Sequence, residues 1–323
     1  MQKRTRQRRK KDKARNVGRG NGLSPYEIMD IRTKMSEYAE EVTAELEKYL
    51  TTPDPDLETL YSSMRYSALS GGKRIRPFLC DAFCRLFGGN AEAAMPFACA
   101  IEMVHASSLV HDDMPCMDND DLRRGKPTNH KVYGEDIALL CGDALITRGY
   151  EIAALNRFVS PEAARSAVAM LTRLAGATGM MGGQEIDLLG EKTKPDFPLL
   201  LKMHDKKTGA LMKASVLLGC HAAEITDESD PRSVAAVKYA SGIGTAFQII
   251  DDILDVEGDP ALLGKATHAD AAEGKTTFIS FMSVEDARKY AKELTDSAID
   301  AIKSYDGSDD LISLAEFLLL RNK

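Results

Sequence analysis

Residues 91–118 read AEAAMPFACAIEMVHASSLVHDDMPCMD, and this stretch decides the fold. Met95, Phe97, Ala98, Ala100, Ile101 and Val104 leave a helix starting near Ala91 with almost no polar face. Such a helix has to be enclosed by others, so it belongs at the centre of a bundle. It then runs into acids, His111-Asp112-Asp113-Met114-Pro115-Cys116-Met117-Asp118.

Working outward, Ser24-Pro25-Tyr26-Glu27 has the pattern of a capping box with proline at the first helical position. Ile28, Ile31, Met35, Tyr38, Val42 and Leu46 follow at three- and four-residue intervals and predict one long amphipathic helix, ended by Pro53 and Pro55. A second helix is expected near residues 57–69, stopped by Gly71-Gly72, and a third from Pro77 to Gly88-Gly89. Further helical stretches are expected after Gly142, Pro161, Pro198 and Pro231. Sustained period-two alternation is absent, and no linker rich in Pro, Gly or Ser divides the chain. The predicted fold is all-α, a single large multi-helix bundle, with residues 23–323 as one domain behind a tail, residues 1–22.

That tail is basic: residues 1–20 hold ten Lys or Arg against one acid, Asp12. The formal charge of −7 therefore hides a body of about −16, from 32 basic and 48 acidic side chains. A nucleic-acid-binding domain carries its basic stripe on the folded surface, so nucleic acid is not an expected partner. The tail reads as disordered and solvated. It lacks the apolar core of a secretory signal, and no run of eighteen apolar residues predicts a membrane span. Cys80, Cys84, Cys99, Cys116, Cys141 and Cys220 form no CxxC pair. They fit small apolar side chains in a reducing, cytoplasmic compartment.

Two aspartate clusters carry the chemistry. Asp251-Asp252-Ile253-Leu254-Asp255 follows the apolar run Ala246–Ile250, and on a helix Asp251 and Asp255 share a face. Hard oxygen ligands of this kind suit Mg²⁺, which completes its shell with water and phosphate oxygens. Upstream, Asp112 and Asp118 are six residues apart, a spacing that an unbroken helix would not align. Pro115 predicts a break that lets Asp118 swing back toward the same ion. Cationic turns complete the picture: GGKRIRP at residues 71–77, Arg123-Arg124-Gly125-Lys126, Lys206-Lys207-Thr208-Gly209, and Lys265 with Lys275. Their fork-shaped guanidinium and ammonium groups suit phosphate. Together with two metal clusters they point to a cavity that takes two diphosphates.

The chain resembles the trans-isoprenyl diphosphate synthase family over residues 24–323. The resemblance rests on GGKRIRP, on HASSLVHDDMPCMDNDDLRRGKPTNHKVYGE at residues 105–135, and on CGDALI, GGQEIDLL and KKTGAL. It extends through GTAFQIIDDILD at residues 244–255 to LGKATHADAAEGKTT at residues 263–277. It implies the isoprenoid synthase fold, an all-α bundle around a deep central cavity, usually in a homodimer. It further implies that Asp112, Asp118 and Asp251 hold Mg²⁺ against an allylic diphosphate, supported by Asp113, Asp252 and Asp255. Arg123, Lys207 and Lys265 would neutralise the same group, with Lys275 in a lid segment. Lys73, Arg76, His105 and Arg124 would bind isopentenyl diphosphate. Thr208 and Gln248 would aim oxygen dipoles at the allylic cation. The implied reaction ionises dimethylallyl, geranyl or farnesyl diphosphate, adds isopentenyl diphosphate and extends the chain by five carbons. His268, where glycine is usual, and the ending Leu320-Arg321-Asn322-Lys323 depart from the family pattern.

Product length has a handle in Ser108 and Ser107, four and five residues before Asp112 and one turn deeper on its helix. Farnesyl-forming members often carry an aromatic at the fifth position. Small Ser107 therefore favours geranylgeranyl over farnesyl diphosphate, unless Met103, Phe83 or Phe87 closes the floor. Two other readings compete. His111-Asp112 with His105 and Asp143 loosely resembles helical HD-type metal phosphohydrolases, and a non-catalytic partner subunit of a prenyl synthase is the non-enzyme alternative.

Overall fold

The computed structural model describes residues 25–257 and 275–321. The tail, Ser24, Lys265 and His268 lie outside them. Helix α1, Pro25–Tyr49, buries Ile31, Met35, Tyr38, Val42 and Leu46, the stripe that its three- and four-residue spacing predicts. It ends at Tyr49, before Pro53, and a 3₁₀ turn at Pro55–Leu57, capped by Asp54, leads into α2, Glu58–Ala68. Helix α3 spans Ile75–Leu86 and so starts two residues earlier than the proline alone suggested. Pro77 lies in its first turn, where N–H groups have no intrahelical acceptor to lose.

Helix α4, Ala91–Asp112, is capped at its start by Asn90 and packs against α3, α6 and α10. It is the one described helix long and apolar enough to cross a membrane, and 78% of that window is buried inside the protein. Its apolar faces are covered by neighbouring helices, as the sequence demanded.

After α4 comes a ribbon that periodicity did not predict, Leu122–Arg123 antiparallel to Lys126–Pro127. Its turn, Arg124-Gly125, has both φ angles positive, 54° and 75°, as a two-residue hairpin with the sheet's own twist requires. Helix α5 covers Asn129–Tyr133 and α6 Glu135–Ala154. The expectation that a helix begins after Gly142 is thereby corrected. A Cβ at that position would lie 2.0 Å from His111 Nε2, so Gly142 permits α4 and α6 to approach and breaks nothing.

Helices α7 (Pro161–Ala175), α8 (Met180–Thr193), α9 (Phe197–Lys207), α10 (Gly209–Ala222) and α11 (Pro231–Glu257) complete the middle of the bundle. Beyond the undescribed segment, a 3₁₀ turn at Phe278–Ser280 precedes α12 (Val284–Ile302) and α13 (Asp309–Leu319). Five of the cysteines are buried and Cys116 is exposed, all of them unpaired. Burial pushes the Cys84 and Cys220 thiols up to about 12, which keeps them inert.

Candidate active site

Two cavities meet at the α9–α10 junction. The larger, about 620 Å³, lies between α4, α6 and α8 and is lined by Asp112, Ser107, Ser108, His105, Arg76 and apolar side chains such as Ile146 and Leu189. The smaller, about 270 Å³, is lined by Gln248, Asp251, Asp252, Lys275 and Asp187. Lys207 and Thr208 line both. The end of α9 thus carries a cation and a hydroxyl to the boundary between the cavity lined by Asp112 and the one lined by Asp251 and Asp252.

Each aspartate pair divides its labour. Asp113 is buried and takes Arg123 Nε at 2.7 and 2.8 Å, while Asp112 lines the large cavity. Asp252 accepts the Phe278 N–H at 2.7 Å, fixing the 3₁₀ turn after the undescribed segment. Asp251 lines the small cavity and pairs with Arg321 at 2.7 Å. Arg321 also stacks on Phe247, 3.6 Å from the ring centroid, so its guanidinium is held against the second cluster. Asp255 is buried one turn below Asp251.

After Asp112 the helix ends, and the backbone turns so tightly that Asp118 N donates to Asp112 O at 2.9 Å. Burial raises the Asp112 carboxyl, Lys207 opposes and Asp118 adds to the rise, leaving it at about 6. Among the described residues no group of three or more His, Cys, Asp or Glu converges to hold a metal alone. Paired carboxylates of this sort suit an ion that draws the rest of its shell from water and phosphate.

Cations surround these acids. Lys207 pairs with Asp187 at 2.5 Å, and Thr208 Oγ1 donates to Gln248 Oε1. Arg76 also lines the large cavity; it is partly buried, and its buried Nε has no partner. Burial first, then Arg124, lowers its pKa. His105 beside it is held well below its ordinary value by burial and by Arg76 and Arg124, so it is a neutral hydrogen-bonding group. Gly72, at φ +124°, brings its backbone so close that a Cβ would meet the Arg124 guanidinium at 2.8 Å. Arg124 also donates to Gly71 O. Lys73 precedes this cluster in the same turn. A cationic wall that includes a buried guanidinium Nε with no partner suits an anion.

Several groups escaped the sequence reading. Gln184 has a buried Nε2 with no partner and lines the large cavity beside Glu185. Both lie in GGQEIDLL, where Gln184 and Asp187 fall on one helix face. His204, stacked on Phe278 and pushed down to about 4 by burial, lines the small cavity. Arg321 pairs across 70 residues with Asp251, which no local pattern reveals. No aromatic side chain is among the described residues lining the large cavity. Phe83 and Phe87 instead pack on Tyr239 and Tyr305, and Met103 lies in the core.

An all-α bundle in which two acid clusters and several cations line adjoining cavities has the architecture of an enzyme for anionic substrates. The sequence profile of the polyprenyl synthetase family matches residues 57–312, and the chain belongs to that family. It is 42% identical over 300 residues to geranylgeranyl pyrophosphate synthase 3, chloroplastic, of Arabidopsis thaliana, covering 91% of this chain and 82% of the relative. It is 42% identical over 296 residues to geranylgeranyl diphosphate synthase of Cyanophora paradoxa, covering 91% and 97%. The apo crystal structure of a FPP/GFPP synthase from Zymomonas mobilis superposes with a TM-score of 0.81 at 36% identity, covering 90% of this chain and 99% of that one. The chain is a short-chain prenyltransferase of isoprenoid biosynthesis. The family match, which spans residues 57–312, leaves no place for the phosphohydrolase reading.

Proposed function

We propose that the protein condenses isopentenyl diphosphate with dimethylallyl, geranyl and farnesyl diphosphates and releases geranylgeranyl diphosphate. The observation that carries this reading is the meeting of both cavities at Lys207 and Thr208. Asp112, Asp118 and Asp251 would hold Mg²⁺, which supplies Lewis-acid stabilisation to a departing diphosphate. Lys207 neutralises the same leaving group, and Arg123, Lys265 and Lys275 add to the field. Thr208 and Gln248 turn oxygen dipoles toward the allylic carbon as charge develops there. Lys73, Arg76, Arg124 and neutral His105 bind the second diphosphate so that its alkene is already aimed. The apolar wall of Ile146, Leu188, Leu189 and Leu211 takes the growing chain and excludes water. The absence of an aromatic from this wall, among the described residues, favours the twenty-carbon product over farnesyl diphosphate.

Residues 23–323 act as the catalytic domain in this reading, and residues 1–22 as a solvated tail. Val132, Leu139 and Leu140, each near half exposed on α5 and α6, are apolar side chains that a second copy would cover in a homodimer. The intact aspartate clusters favour an enzyme over a non-catalytic partner subunit. We assign the protein to the cytoplasm, where a reducing poise keeps its thiols free. A tagged chain found in plastids, the compartment in its plant relatives' names, would overturn that assignment. Purified protein incubated with labelled isopentenyl diphosphate and each allylic primer should extend all three to twenty carbons. Extension of none of them would refute the proposal.

A further inference from the structure

One buried acid has no part in the reaction described above. Glu102 lies in α4 one turn before His105, and its side chain is 4% exposed. Its Oε1 takes Arg74 Nη1 at 2.5 Å, and Arg74 is 2% exposed. Arg74 itself sits in the left-handed region, φ 47°, and donates its Nη2 to Ala68 O at 2.6 Å. It is the pivot of the glycine turn that carries Lys73 on one side and Arg76 on the other. Glu102 also acts at a distance, offsetting part of the burial cost of both Arg76 and Arg124. Arg74 is buried against Glu102, Arg76 is partly buried and Arg124 is exposed, and the charge of this one acid reaches all three. Buried charges of one sign are tolerated only when something opposite is near.

Resting on the reading of Arg76, Arg124 and His105 as the isopentenyl diphosphate subsite, we propose that Glu102 is the resident counterion of that subsite. It holds Arg74, Arg76 and Arg124 together while no diphosphate is bound. It leaves two positive charges in excess for the incoming diphosphate. Glu102 is thus a positioning residue that acts through the arginines and does not touch substrate.

Thermal unfolding of the full chain tests this, in chelator, with inorganic diphosphate as probe and sodium chloride of matched ionic strength as control. Glu102→Gln should lower the unfolding midpoint by roughly 5 °C. Saturating diphosphate should recover most of that loss, so its stabilising shift is larger in the variant than in wild type. Pairing Glu102→Gln with Arg74→Met removes one charge of each sign, and the excess shift should then vanish. A purely structural Glu102 would give a lower midpoint that diphosphate does not selectively restore. Equal shifts in wild type and Glu102→Gln overturn the proposal while the subsite reading stands. No shift beyond the chloride control in wild type overturns the subsite reading, and the proposal with it. Should Glu102→Gln not be recovered folded, Glu102→Asp carries the same comparison. It keeps the charge at shorter reach, so it should show a smaller excess of the same sign, and none would overturn the proposal.

Discussion

Replacing Ser107 with tyrosine puts the assignment of product length at risk. Ser107 is 2% exposed, its hydroxyl donates to Val104 O at 2.8 Å, and it lines the larger cavity. A phenol ring there projects into the space where a fourth isoprene unit would lie. Burying five carbons yields about 4 kcal/mol at roughly 0.8 kcal/mol per carbon. Denying that space biases release over extension at the fifteen-carbon stage by on the order of 10³. Overpacking adds its own cost of about 1–3 kcal/mol to stability, which a thermal melt separates from the product effect. The assay is incubation with labelled isopentenyl diphosphate and geranyl diphosphate, followed by chromatography of the dephosphorylated alcohols. Wild type should yield the twenty-carbon alcohol and Ser107→Tyr the fifteen-carbon one, at comparable total condensation. If the variant still makes wild-type proportions of the longer product, or wild type itself stops at fifteen carbons, the wall at Ser107 does not set length.

Other outcomes follow from the same geometry. Asp112→Ala or Asp251→Ala should reduce turnover by at least about 10³, with the fold intact by circular dichroism; near-normal condensation in either would contradict the metal roles. The Asp112 carboxyl, raised to about 6, should make divalent-cation affinity and turnover fall as pH drops through that value, read from cation titrations between pH 5 and 8. Metal-free stability should run the opposite way: its folded pKa lies above the unfolded one, so this contribution is full below the unfolded value and lost as pH rises through about 6. Deleting residues 1–22 should leave turnover unchanged, because the stretch holds almost no apolar surface; a large loss in steady-state rate would show that the tail does more than solvate.

What was legible in the sequence follows a physical pattern. The run from Met95 to Val104 could only be a central helix, and it is one, because apolar residues on every face leave no alternative. The stripe of Ile31, Met35, Tyr38, Val42 and Leu46 is buried because those residues share one face of an otherwise polar helix. Gly142 misled, since glycine serves close helix packing as readily as it ends a helix. Helices α8, α10, α12 and α13 begin without the proline that marked α7 and α11, so they were not singled out. At the site, the acids and cations that stand in clusters were readable. Groups that act through distant partners were not: Glu102 beneath Arg74, Asp187 against Lys207, Arg321 against Asp251. Each of those pairs is made by the fold and has no signature in local spacing.

The central claim is that one diphosphate is held through the aspartate clusters and metal, and the other without metal, by Lys73, Arg76, His105 and Arg124. Calorimetric titration of an unreactive allylic thiodiphosphate and, separately, of isopentenyl diphosphate tests it directly, each with magnesium and with chelator. Chelation should abolish binding of the allylic analogue and leave that of isopentenyl diphosphate largely in place. Equal losses for both ligands, or equal retention, would contradict the account.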